Sequence, residues 1–141
     1  MMNVAKQSQM AGGMNMGFVV IAEPDEVNAA RIKTILDSLD KDFSYALVGS
    51  AEAAIQLVEQ NTTDVFIADM QMPVMDGYEA TREIRKLSLD VPIIAVTAFA
   101  YASDEQRAME NGFDGYMAKP ISAPQLRQQI ATILQKRIIL L

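Results

Sequence analysis

The sequence predicts an α/β domain built on an open parallel sheet with helices on both faces. Three observations carry this prediction: short apolar runs without polar alternation, stretches of helical period between them, and regular alternation of the two along the chain. With 141 residues, half of them apolar, the chain is long enough for one domain and too short for two ordinary ones.

The first 17 residues, MMNVAKQSQMAGGMNMG, mix Met, Gln, Asn and Gly without period, and read as a flexible leader or linker. They hold no apolar run of the length that a signal peptide or membrane span requires. The domain proper is expected over 18–137, with 138–141 as a tail. Its strands are the runs FVVIA (18–22), YALVG (45–49), VFIA (65–68), PIIAV (92–96) and the brief YMA (116–118). Between the first two, Ile32, Ile35, Leu36 and Leu39 share one helical face behind Asp25, a candidate N-cap. Ser103 with Gln106 and Ser122 with Gln125 fit the capping-box spacing, and Gly112 is placed to end the helix that Ser103 opens. The order is therefore βαβαβαβαβα.

Composition removes several function classes. A net charge of −6 and a pI near 4.6 leave no basic face for a nucleic acid. Without cysteine there are no disulfides and no thiolate metal sites. Without histidine there is no imidazole base, ligand or phosphodonor, so the histidine-dependent hydrolases are excluded.

In an open parallel sheet, ligands bind beyond the carboxyl ends of the strands. The residues at those ends are Glu23, Gly49 with Ser50, Asp69, Thr97 and Lys119. Two carboxylates, a hydroxyl and an ammonium on one edge suit a phosphoryl group carried on an aspartate. A carboxylate can attack phosphorus and hold the group as an acyl phosphate, and Asp69 is the candidate nucleophile. Alone, it would equally be a strand-end Asp that caps a turn. Phosphoryl transfer rests on positioning and on neutralising the equatorial oxygens, for which Lys119 offers charge and Thr97 a hydroxyl. Glu23 and Asp69 together supply the one or two carboxylates that Mg²⁺ usually takes. Taken singly, Glu23 is as readily a helix-start acid, Thr97 a strand terminus and Lys119 a solvated lysine.

With these residues in place, the chain resembles the receiver domain of two-component response regulators over residues 18 to about 136. The most specific stretch is DVFIADMQMPVMDGYEATREIR (64–85), similar to the phosphoacceptor strand and loop, with Asp69 at the phosphorylated position. PIIAVTA (92–98) places Thr97 as the switch threonine. GFDGYMAKPI (112–121) places Tyr116 as the switch aromatic, Lys119 as the phosphate-contacting lysine and Lys119-Pro120 as a cis bond. The wording around MPVMDGYEA is most like receivers fused to hybrid histidine kinases.

The resemblance implies a flavodoxin-like (CheY-like) sheet of five parallel strands in the order 2-1-3-4-5. It implies Mg²⁺-dependent transfer from a phosphohistidine to Asp69, with the donor a histidine kinase or a histidine phosphotransfer domain. The Gln71 backbone carbonyl is then a metal ligand beside Glu23 and Asp69, and Gln71 and Phe99 hold positions that tune acyl-phosphate lifetime. Thr97 and Tyr116 couple phosphorylation to the surface of the fourth helix, fifth strand and fifth helix. A cytoplasmic location is expected, with no membrane or nucleic-acid contact by this chain alone. The last helices are a candidate homodimer surface. The chain is expected to be a self-phosphorylating acceptor and not a stand-alone enzyme.

One departure stands out. Matching EPDEVN to the family's usual acid pair without a gap puts Glu23 at the first acid and Pro24 at the second, the usual direct metal ligand. A match shifted by one puts Ala22 and Glu23 at the pair, but the helix then needs an insertion. Either way one acid is missing, and Asp25 is a candidate replacement or a helix cap. Two unit charges 4 Å apart interact by roughly 4 kcal/mol at an effective dielectric of 20, of which desolvation leaves a part. Metal binding should therefore be weaker by about one to two orders of magnitude, at roughly 1.4 kcal/mol per tenfold.

Two functions remain open on this reading: a working receiver, or a pseudo-receiver that binds a partner without phosphorylation because Pro24 leaves its acidic pocket incomplete. An aspartyl-phosphate phosphatase is less well matched, since it wants a second acid where Gln71 stands. A flavin-binding module wants a phosphate cradle after the first strand, where EPDE is acidic.

Overall fold

The computed structural model describes residues 2–3, 17–38, 43–87, 90–98 and 104–139. In chain order the elements are β1 (Met2–Asn3), β2 (Gly17–Ala22), α1 (Glu26–Ser38), β3 (Phe43–Val48), α2 (Ala51–Gln60), β4 (Val65–Asp69), α3 (Gly77–Lys86), β5 (Ile93–Thr97), α4 (Asp104–Glu110), β6 (Gly115–Ala118) and α5 (Ala123–Ile139). They form one sheet in the order β1-β3-β2-β4-β5-β6. The strands from β2 to β6 are all parallel and, counted among themselves, follow the expected order 2-1-3-4-5. The fold class read from the sequence is therefore the one observed.

The apolar runs are unbroken because both faces of the sheet are covered. Along β2, Val19 and Ile21 pack on one side with Ile32, Ile35 and Leu36 of α1 and Leu126 and Ile130 of α5. Val20 and Ala22 point to the other side, into a layer with Ala54 and Val58 of α2, Ala80 and Ile84 of α3 and Ala108 of α4. Both residue sets are apolar, so no polar alternation survives in the sequence.

The caps behave as their residue types dictate. The Asp25 carboxylate accepts from Asn28 N at 2.9 Å at the start of α1, and Ser122 Oγ accepts from Gln125 N at 3.2 Å at the start of α5. Gly112 ends α4 with φ +96°, and Phe113 N returns to the carbonyl of Ala108 at 3.2 Å. Ser103 and Leu39 lie outside the described residues.

Two features were not anticipated. Within the stretch read as a leader, Met2–Asn3 pair antiparallel with β3, Met2 opposite Val48 and Asn3 opposite Leu47. A two-residue strand has no period to read, so only the exposed edge of β3 specifies it. Arg85 of α3 also staples three segments: it donates to the carbonyls of Val91 at 2.7 Å and Gly112 at 2.9 Å, and to the Asp114 carboxylate at 3.2 Å.

Candidate functional site

The parallel register aligns the strand ends, and this brings the chemistry together. Ala22 lies opposite Ala68, Asp69 opposite Val96 and Thr97 opposite Ala118, so the residues that leave β2, β4, β5 and β6 share one edge of the sheet. Behind them the start of α3 packs hard on the end of β4. A Cβ at Gly77 would lie 2.5 Å from Met70 Sδ, 3.2 Å from Met70 Cα and 3.3 Å from the Asp69 carbonyl oxygen, so a larger residue would have to displace the Met70 side chain and press on the end of β4.

The core of the site is an ion triad. Lys119 Nζ lies 2.6 Å from Asp69 Oδ2 and 2.9 Å from Glu23 Oε1, and the two carboxylate side chains are 3% and 2% exposed. Asp69 Oδ1 accepts from Gln71 N at 2.9 Å, the turn-capping bond typical of an Asp two residues ahead of an amide. The turn-capping role open to a strand-end Asp is therefore filled by Oδ1, while Oδ2 faces Lys119. Glu23 Oε2 accepts from Asp25 N at 3.0 Å. Burial pushes the Glu23 carboxyl above its usual range, against the pull of the Asp25 amide and the Lys119 ammonium, and its hydrogen bond with Asp69 raises it further. For Lys119, burial acts downward, but the hydrogen bonds and charges of Asp69 and then Glu23 outweigh it and hold the ammonium above the usual lysine value.

Thr97, 4% exposed, ends the neighbouring strand, and its Oγ1 accepts from Gln71 Nε2 at 3.0 Å. Gln71 Oε1 in turn accepts from Ala98 N at 3.4 Å. The Tyr116 ring is half-buried on the α3 and α4 side of the sheet, and its hydroxyl is buried without a hydrogen-bond partner. Burial raises its pKa, with Asp104, Tyr78 and Glu105 adding to the effect. Next to it, Tyr78 meets Phe113 edge to face at 5.7 Å and lies under the Arg107 guanidinium at 5.1 Å. The Lys119-Pro120 bond is cis, as expected. Phe99 lies outside the described residues.

The departure at Pro24 is visible in the geometry. Pro24 carries no side-chain oxygen, and the exposed Asp25 carboxylate is spent on the α1 cap. Among the described residues, no three acidic side chains cluster in a way that could hold a metal. What remains is Glu23 and Asp69, two buried carboxyl groups that share one ammonium. Hard carboxylate oxygens of that number fit Mg²⁺, which completes its shell with a backbone carbonyl and water. The cavity lined by Glu23, Asn28, Arg31, Ile32, Lys119 and Ile121 has about 10 Å³, room for one water and not for an organic ligand.

The structure brings Glu23, Asp69, Thr97 and Lys119, singled out from the sequence, to this edge, with Tyr116 on its flank. Sequence reasoning missed that the Gln71 side chain ties Thr97 and Ala98 to the Asp69 loop. The spacing of two from Asp69 was the available signal, but the bond itself depends on the β4–β5 register. Among the described residues, no helix is long and apolar enough to cross a membrane.

Comparison with known proteins places this geometry. The family model described as "Response regulator receiver domain" matches residues 19–131. The sensor histidine kinase RcsC of Salmonella typhi is 37% identical over 118 residues, covering 84% of this chain but only 12% of RcsC. Among solved structures, the receiver domain of the Pseudomonas aeruginosa PAO1 sensor histidine kinase PA1611 is 32% identical, with a TM-score of 0.74 over 84% of this chain and 98% of that one. That structure is described with a magnesium ion coordinated in its active-site cleft. The receiver domain of Saccharomyces cerevisiae Ssk1, solved with the histidine phosphotransfer protein Ypd1, shares the fold at 24% identity, with a TM-score of 0.75 over 84% of this chain and 89% of that one.

Proposed function

We propose that this chain, which belongs to the response regulator receiver family, accepts a phosphoryl group from a phosphohistidine onto Asp69 and passes the change to the surface of α4, β6 and α5. The observation that carries the reading is the triad itself. A lysine shared at 2.6 and 2.9 Å between two almost fully buried carboxylates is costly to build and gives little stability for its cost. It is intelligible as machinery for an anion.

An Asp69 oxygen attacks phosphorus, the bond from phosphorus to the donor imidazole breaks, and the imidazole keeps the electron pair and takes up a proton. The chain has no histidine, so the donor is a second protein, a histidine kinase or a histidine phosphotransfer domain. Lys119 turns from a carboxylate counterion into a counterion for the phosphoryl oxygens, and the Thr97 hydroxyl donates to one of them. Gln71 N, already on Asp69 Oδ1, fixes the carboxylate for attack. Glu23, Asp69 and the Gln71 carbonyl would hold Mg²⁺, which when bound supplies further neutralisation of the phosphoryl oxygens. With one acid missing, that binding is weak. Family membership supports a setting beside or within a hybrid histidine kinase in the cytoplasm. The last helices are the surface proposed for self-association.

A second reading draws on one observation, that Asp25 caps α1 and leaves two acids where a third would complete the pocket. In it the fold and Asp69 are kept but a partner is bound without phosphorylation. Incubation with a small phosphodonor, with and without Mg²⁺, read by intact mass, separates the two. A metal-dependent mass gain that is lost in Asp69→Asn supports the receiver. Absence of any gain at high Mg²⁺, together with failure to bind beryllofluoride, favours the phosphorylation-independent module.

A further inference from the structure

Gln71 touches both sides of the site at once. Its backbone N donates to Asp69 Oδ1 at 2.9 Å, while its side chain crosses to β5 and meets Thr97 Oγ1 and Ala98 N. The orientation of its amide follows from chemistry. The Ala98 N–H is a donor only, so the amide oxygen faces it and the NH₂ must face Thr97. Thr97 Oγ1 is therefore held as an acceptor. A hydroxyl has one proton and two lone pairs, and with one lone pair taken by the Gln71 NH₂ the proton cannot point at the amide. Phosphoryl oxygens are acceptors only and can use Thr97 in no other way.

We infer that Gln71 is a positioning residue that presets the Thr97 hydroxyl as a donor to the anionic group on Asp69, through the amide bridge across β4 and β5. This deepens the receiver reading and rests on it. The bridge also explains why Gln at this position is not interchangeable with Glu. A carboxylate at 71 would still accept from the Ala98 amide, but it would also take the Thr97 proton, reversing the bond and leaving phosphoryl oxygens facing a lone pair.

The test is a double-mutant cycle on beryllofluoride affinity, measured by calorimetry in saturating Mg²⁺ on the full chain. Gln71→Glu is expected to lower the affinity about tenfold when Thr97 is present, the worth of one hydrogen bond to a charged group. In a Thr97→Val background, where there is no hydroxyl to orient, the same change should cost no more than about twofold, since only its charge acts. Equal losses in both backgrounds would assign the effect to charge alone and overturn the inference. So would an unchanged affinity in Gln71→Glu.

A ligand-free measurement separates this from failure of the receiver reading. The Gln71 side-chain NH₂ resonances should shift on Thr97→Val while the Asp69 loop amides stay in place, and an unmoved NH₂ overturns the bridge directly. If the bridge is present but the unaltered chain binds no beryllofluoride, the receiver reading fails and takes with it the role assigned to Gln71. If both are absent, the bridge itself is refuted.

Discussion

Replacing Tyr116 with Phe should make the protein more stable. The hydroxyl is buried without a hydrogen-bond partner, while the ring packs among the residues that link β6 to α3 and α4. Burying a hydroxyl without a partner costs about 1–3 kcal/mol in proteins, and Phe keeps every ring contact. Since the side chain as a whole is only half-buried, the lower part of that range applies, about 1–2 kcal/mol. For a chain of this size, 1 kcal/mol shifts Tm by roughly 3–4 °C, so a rise of about 3–8 °C is expected. Circular dichroism melts at pH 7, with urea titrations to show that the m-value is unchanged, provide the measurement. A lower Tm in Tyr116→Phe would mean that the hydroxyl donates to a group such as the Asp104 or Glu105 carboxylate, and would refute the view that this tyrosine stands inward at a cost.

Lys119→Met strands Glu23 and Asp69 without a counterion and should cost about 3 kcal/mol at pH 7, with part of the loss recovered in urea titrations as pH falls toward the raised Glu23 pKa. Val74→Gly should stabilise by roughly 0.5–1 kcal/mol: Val74 sits at φ 72° with Met75 N on the Pro73 carbonyl, its side chain is 91% exposed, and glycine relieves the left-handed cost of about 1–2 kcal/mol at a smaller entropic price. Alkaline pH should unfold the chain early. The Tyr45 pKa is raised by burial and by its bond to Asp37, and that of Lys119 is raised by its carboxylates, so both contributions are complete below the ordinary values of 10.0 and 10.5 and are lost as pH rises through the raised ones. Tyr45→Phe should flatten that part of the stability profile above pH 10. Pro24→Asp should raise Mg²⁺ affinity about ten- to a hundredfold by calorimetry, restoring a carboxylate worth roughly 1.4 kcal/mol per tenfold.

Much of this architecture could be read from residues because its determinants are local. Strands buried on both faces leave unbroken apolar runs, and Asp25, Ser122 and Gly112 cap their helices through atoms three to five residues away. The grouping of Glu23, Asp69, Thr97 and Lys119 could be read because a parallel sheet collects its strand ends on one edge, before any distance was known. Contacts that depend on register between distant strands stayed hidden. The Gln71 bridge to Thr97, the Arg85 staple and the pairing of Met2–Asn3 with β3 have no signature within their own segments. Val74 was hidden for the opposite reason. A β-branched residue argues against φ 72°, and the turn between Pro73 and Met75 overrides that preference.

The central claim is that Asp69 carries the phosphoryl group, and trapping the acyl phosphate tests it most directly. Borohydride reduction after incubation with a small phosphodonor converts an aspartyl phosphate into homoserine, which peptide mass spectrometry locates by residue. Homoserine at position 69, dependent on Mg²⁺, is the predicted result. Homoserine at another carboxylate, or none in a chain that still melts cooperatively, would contradict it.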